Sequence, residues 1–300
     1  MPNDATLVWF IADASAGLAA ALAEAVLDAG QRAVLAARDP ERLRSLVERH
    51  PGRASAIALD VLDGGAVDAA LRDAEARFGR IDVLAASAQQ RYFGAVEEGD
   101  ESALRAVFEE NVFAPVNLAR RVLPGMRARR AGHIVLLARG VAHVPAGEGF
   151  CHAARSALEA LAEALFHEVE RFGVKVTLVD PGASDGAGHL PAPRAAGIAD
   201  YADLAGRQGG TGAQVGQGAQ VDLARAAQAI LRAVTDGRGP LRLVLGRAAL
   251  QRAYDRLRIL KVGFDAWADL AASADPDLPA ATAARAPRRP RASRARVSGA

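Results

Sequence analysis

Short apolar runs recur at intervals along this chain, with longer amphipathic stretches between them. The runs are residues 7–12, 33–37, 55–59, 81–86, 134–137, 174–179 and 241–245. The stretches between them, residues 18–29, 40–50, 63–78, 101–130, 153–172 and 223–235, read as helices. Strand and helix in strict alternation predict a parallel sheet covered by helices on both faces. The runs are apolar nearly throughout, as strands buried on both sides must be. Right-handed crossovers then give a Rossmann-like, doubly wound α/β fold in a single domain. In the stretch 153–172, Leu158, Leu161, Ala162, Leu165 and Val169 fall on one helical face, which marks core or a subunit interface.

The alternation stops at residues 184–221, where Gly186, Gly188, Gly209, Gly210, Gly212, Gly216 and Gly218 accompany Pro191 and Pro193. Two readings of this insertion stand side by side: a lid over a site, and a loop without a role. A helical stretch at 248–272 closes a domain of residues 1–275. Residues 276–300 read as a disordered tail. The formal net charge of +2 is set by this tail, which holds Arg285, Arg288, Arg289, Arg291, Arg294 and Arg296. The remainder is slightly acidic, so no specific nucleic-acid face is expected. The single cysteine, Cys151, excludes an internal disulfide. Run 7–12 has no basic region before it and is too short for a signal peptide or a membrane span. The expected compartment is therefore the cytoplasm. The histidines His133, His143 and His167 make no metal spacing with Cys151, so no metal site is expected.

Several segments, in order, carry a likeness. They are Ala14-Ser15-Ala16-Gly17-Leu18, Ala36-Ala37-Arg38-Asp39-Pro40, Leu59-Asp60-Val61, Gly79-Arg80-Ile81-Asp82-Val83-Leu84, Asn111-Val112-Phe113, Gly132-His133-Ile134-Val135, Ala157-Leu158-Glu159 and Asp180-Pro181-Gly182. Over residues 6–275 the chain resembles the short-chain dehydrogenase/reductase family. That resemblance implies an NAD(P)-dependent oxidoreductase, a small-molecule ligand and a homo-oligomer built on a helix bundle.

At the positions that carry the family's function, the resemblance is uneven. The family's cofactor loop, Thr-Gly-x-x-x-Gly-x-Gly, falls here on residues 12–19, from Ala12 to Ala19. Of its glycines only Gly17 remains, Asp13 stands at the first glycine position, and Ser15 lies between them. Glycines there let backbone approach the pyrophosphate, which a carboxylate repels. Arg38 matches the basic position that favours the 2′-phosphate of NADP, and it also reads as a solvated surface arginine. Asp60 matches the residue that meets the adenine, and it reads equally as a loop cap. Gln89 replaces a glycine beside the cofactor path.

The family's catalytic Asn, Ser, Tyr and Lys fall on Asn111, Arg139 (or Ala138), Cys151 and Arg155. Only Asn111 matches; it also reads as a buried hydrogen-bonder between helices. The only lysines, Lys175 and Lys261, lie elsewhere, and none of Tyr92, Tyr201 and Tyr254 is on this helix. Cys151 is open to two readings: a thiolate favoured by a helix start and Arg155, and a small apolar filler. Arg139 and Arg155 could bind an anion together, or pair with Glu148 or Asp185. Two functions follow. One is a catalytically impaired member with a binding, regulatory or scaffolding role. The other is a working NAD(P)-dependent oxidoreductase with a non-standard proton donor such as Cys151 or bound water. A thiol enzyme built on Cys151 is a third reading.

Overall fold

The computed structural model describes residues 6–88, 90–138, 146–182, 197–202, 204, 221–237 and 239–275. Seven strands form one wholly parallel sheet in the order β3-β2-β1-β4-β5-β6-β7. The strands are β1 (Val8–Ile11), β2 (Arg32–Ala37), β3 (Ala54–Ala58), β4 (Val83–Ala88), β5 (Gly132–Ala138), β6 (Val174–Asp180) and β7 (Arg242–Val244). The Rossmann-like single domain expected from the alternation is thus what the chain forms.

Side chains on successive strand residues point to opposite faces, and each face builds its own core. Trp9, Ile11, Leu35, Ala85 and Val135 face one way, against α1 (Gly17–Asp28) and the helix Leu223–Thr235. Phe10, Val34, Leu84, Ile134 and Val176 face the other way. They meet α3 (Gly64–Phe78), α5 (Ala114–Arg129) and α6 (Gly149–Val169). Two short helices complete the first half, α2 (Arg44–Arg49) and α4 (Glu101–Phe108). Helix starts follow the local sequence: Asp63 accepts from the Gly65 and Ala66 N–H groups, and Asp100 from that of Ala103.

The stretch expected as one helix over 101–130 is interrupted. Between α4 and α5 the residues Glu109–Phe113 make a single π-helical turn, followed by Pro115 at the start of α5. One extra residue per turn swings Asn111 inward, where it is buried. The stretch expected over 153–172 begins earlier, at Gly149, so Cys151 lies in its first turn.

Among the described residues, the α-helices past β6 are α7 (Leu223–Thr235), α8 (Arg247–Ala266) and α9 (Ala268–Ala272). By internal contacts the chain divides into two compact units, residues 1–255 and 256–300. Most of the glycine-rich insertion, and the arginine-rich stretch from residue 276, lie outside the described residues. Among the described residues no helix is long and apolar enough to cross a membrane, and no His/Cys/Asp/Glu cluster could hold a metal ion.

Candidate functional site

The strand order reverses between β1 and β4, which opens a crevice beyond the carboxyl ends of the strands. Most of the predicted site positions gather there.

The loop after β1 turns through two left-handed residues, Asp13 at φ 54° and Gly17 at φ 59°. Glycine enters this region freely, and aspartate is among the few other residues that tolerate it. The chain path a glycine loop would follow is therefore kept with a carboxylate on it. Although Asp13 is exposed as a residue, partial desolvation raises its carboxyl pKa; nearby Arg38 opposes the shift and Glu110 adds to it. Ala16 caps α1 without a side-chain hydrogen bond, so the N–H groups of the first turn have no side-chain cap.

Arg38, just past β2, donates to Glu110 Oε1 at 2.8 Å and lies 3.8 Å from Asp60. The Glu110 hydrogen bond is the main cause of the raised Arg38 pKa. Asp60 Oδ1 also accepts the Leu62 N–H at 3.0 Å, so it acts as the loop cap that one reading of it predicts. Arg38, Asp60, Asp13 and Glu110 thus form one charged cluster in which acidic groups outnumber the base. Sequence reasoning missed Glu110. Its signal was adjacency to Asn111, which the π turn converts into a place beside the crevice.

Asn111 grips the segment after β4. Its Oδ1 accepts the Gln90 N–H at 2.9 Å and its Nδ2 donates to the Gln90 carbonyl at 2.8 Å. The partner is loop backbone rather than another helix. Gln89 and Arg139 lie outside the described residues, while Ala138 is buried at the end of β5.

Cys151 sits beneath the same segment. Its Sγ accepts the Tyr92 N–H at 3.2 Å and donates to the Tyr92 carbonyl at 3.4 Å. Burial pushes the thiol pKa up, the Tyr92 N–H works the other way, and Glu148 adds to the rise. The Tyr92 ring stacks on Phe150 at 5.4 Å between centroids, and its hydroxyl is buried with no hydrogen-bond partner among the described residues.

One turn further along α6, Arg155 is buried and its guanidinium lies 3.9 Å from Asp180 at the end of β6. Glu148 lies 3.7 Å from His152, and Asp185 lies outside the described residues. Asp180 Oδ1 also accepts the Gly182 N–H at 2.9 Å. Gly182 has φ 66°, and a Cβ there would come within 2.8 Å of the Leu245 carbonyl oxygen, so this turn requires glycine. The described part of the insertion docks nearby: the Ile198 N–H donates to Glu98 at 2.9 Å, and the Tyr201 hydroxyl to Glu97 at 2.8 Å.

Known proteins share the sequence pattern and the fold. The family model described as short chain dehydrogenase matches residues 8–190. The oxidoreductase BOA17 of Botryotinia fuckeliana is 30% identical over 276 residues, covering 89% of this chain and 98% of that protein. A crystal structure of a short-chain dehydrogenase from Streptomyces avermitilis superposes with a TM-score of 0.84 at 37% identity, over 91% of this chain and 99% of that one. A metagenomic short-chain oxidoreductase solved in complex with NADP shares the fold, with a TM-score of 0.63 at 24% identity over 80% of this chain and 96% of that one. A parallel sheet in the order 3-2-1-4-5-6-7, the family model over most of the sheet and a relative matched along nearly its whole length together place this chain in the short-chain dehydrogenase/reductase family.

Proposed function

We propose that this oxidoreductase-like protein is catalytically impaired and has a binding, regulatory or scaffolding role. The observation that carries this reading is the state of the two positions that would move a proton. Cys151 is hydrogen-bonded to backbone on both its donor and acceptor sides, and its pKa is raised, so it stays a neutral thiol near pH 7. Arg155 is turned to Asp180 and, as a guanidinium, keeps its proton at any working pH. Neither group offers general acid–base chemistry matched to neutral pH.

The cofactor path supports the same reading. A nicotinamide dinucleotide brings phosphates to the β1 loop and to Arg38. Here Asp13 and Glu110 put carboxylates beside those points, and the arginine is already engaged. The described residues do not fit the group in the family's manner.

A second reading, a working NAD(P)-dependent oxidoreductase with a non-standard donor, draws support from two features. The β1 loop keeps its left-handed turns, and the start of α1 keeps N–H groups that no side chain caps. Such a helix start favours anions. The NADP held by the metagenomic relative makes a nicotinamide cofactor the first ligand to try.

Calorimetric titration with NADPH and NADH separates the two. The impaired reading expects no heat at millimolar cofactor, and some recovery of binding in Asp13→Gly. Micromolar affinity in the unaltered protein would overturn it and make the proton donor the next question.

A further inference from the structure

Building on the proposed failure of the crevice to take its cofactor, we infer that Glu110 sets nucleotide specificity there: it excludes a 2′-phosphate and tolerates free ribose hydroxyls. In a doubly wound sheet a dinucleotide lies across the carboxyl ends of the strands, and its adenosine ribose meets residues just past the second strand. An arginine at that place accommodates a 2′-phosphate, and an acid accepts the 2′-hydroxyl. Arg38 follows directly on β2. Its Nη2 donates to Glu110 Oε1 at 2.8 Å and lies 3.8 Å from Asp60 Oδ1, so one nitrogen serves two carboxylates.

Of the two ion-pair partners, Glu110 is the anchored one. Its side chain is 28% exposed against 63% for Arg38. It belongs to the π turn, a feature frequent at functional sites, and the next residue, Asn111, is tied to Gln90 by two hydrogen bonds. A phosphate that draws Arg38 away leaves this carboxylate without its cation and beside a new anion.

The field extends to the β1 loop. Glu110 pushes the Asp13 carboxyl pKa up and Arg38 pulls it down, so the three groups sense one another. Among the described residues, the carboxylates of Asp13, Asp60 and Glu110 thus share the single guanidinium of Arg38. A phosphate monoester adds a charge of about −2 to that group. Ribose hydroxyls add none and can donate to the carboxylates. An exposed ion pair is worth little alone. Here the lost pair and the like-charge repulsion act together, and only on the phosphorylated ligand.

Adenosine 2′,5′-bisphosphate and AMP, which differ only in the 2′-phosphate, test this by saturation-transfer NMR at up to about 10 mM nucleotide. E110Q and E110A should each bind the bisphosphate at least about fivefold more tightly than the unaltered protein does, with AMP affinity unchanged. R38M/E110Q should lose that gain. Melting curves check that each variant is folded. Bisphosphate affinity no higher in E110Q and E110A than in the unaltered protein, or undetectable in both, overturns the role of Glu110. An equal gain for AMP, or a gain that survives R38M, also overturns it. Micromolar NADH binding by the unaltered protein would overturn the impaired reading and leave this one standing, whereas micromolar NADPH binding would overturn both.

Discussion

Asn111 and the backbone of Gln90 hold each other by two hydrogen bonds, one in each direction, at 2.9 and 2.8 Å. The π turn at Glu109–Phe113 aims the amide, and the amide in turn fixes the segment that covers Cys151. Asn111→Ala leaves a partly buried N–H and C=O without partners. The expected cost is about 2 kcal/mol in urea unfolding. Asn111→Asp keeps the acceptor but loses the donor and should recover only part of that.

The Cys151 thiol should be a poor nucleophile in the folded protein. With its pKa raised by burial and Sγ held between the N–H and C=O of Tyr92, reaction with iodoacetamide at pH 7.5 should run at least about tenfold slower than in urea-unfolded chain. Equal rates would show that the thiol is open and activated.

Putting the family's pair back, Cys151→Tyr with Arg155→Lys, should not create turnover and should lower stability. The Gln90–Tyr92 backbone lies directly on Sγ, with the Gln90 carbonyl at 3.9 Å, so a phenol ring must displace it. An overpacked site of this kind costs about 1–3 kcal/mol. The checks are a melting curve and an NADPH-oxidation assay with a panel of carbonyl compounds.

Arg155 and Asp180 should show coupling in a double-mutant cycle. Both side chains are buried, and removing either takes a counter-charge from the other in a poor solvent. Arg155→Met should cost about 3 kcal/mol. The added loss from Asp180→Asn in that background should be much smaller than its loss alone.

His133 should give the protein an acid-sensitive limb. It is buried at the start of β5, with Thr177 Oγ1 2.9 Å away, and burial aided by Lys175 lowers its pKa from 6.5 to about 4. As pH falls below 6.5 the unfolded chain takes up a proton that the folded chain refuses. Stability is thus complete above 6.5 and lost on the way down to about 4, by on the order of 3 kcal/mol. His133→Gln cannot take up a proton, so its unfolding free energy should change less across that window.

Periodicity and residue type determined a good part of this protein without coordinates. Apolar runs such as residues 7–12 and 174–179 specify strands buried on both faces, because parallel strands require helices above and below. The caps Asp63 and Asp100 act through groups two or three residues away, so they too could be read locally. The absence of lysine and tyrosine from the stretch 153–172 needed only the sequence. The tertiary structure supplied the partners of several positions that the sequence left open. Arg38 is neither free nor simply solvated, because the π turn brings Glu110 to it across 72 residues of chain. Asp60 caps its loop, Asn111 holds Gln90 instead of a helix, and Arg155 lies beside Asp180. Burial and partners separated by tens of residues depend on how the strands are ordered and how one helix is underwound. A local pattern carries no record of either.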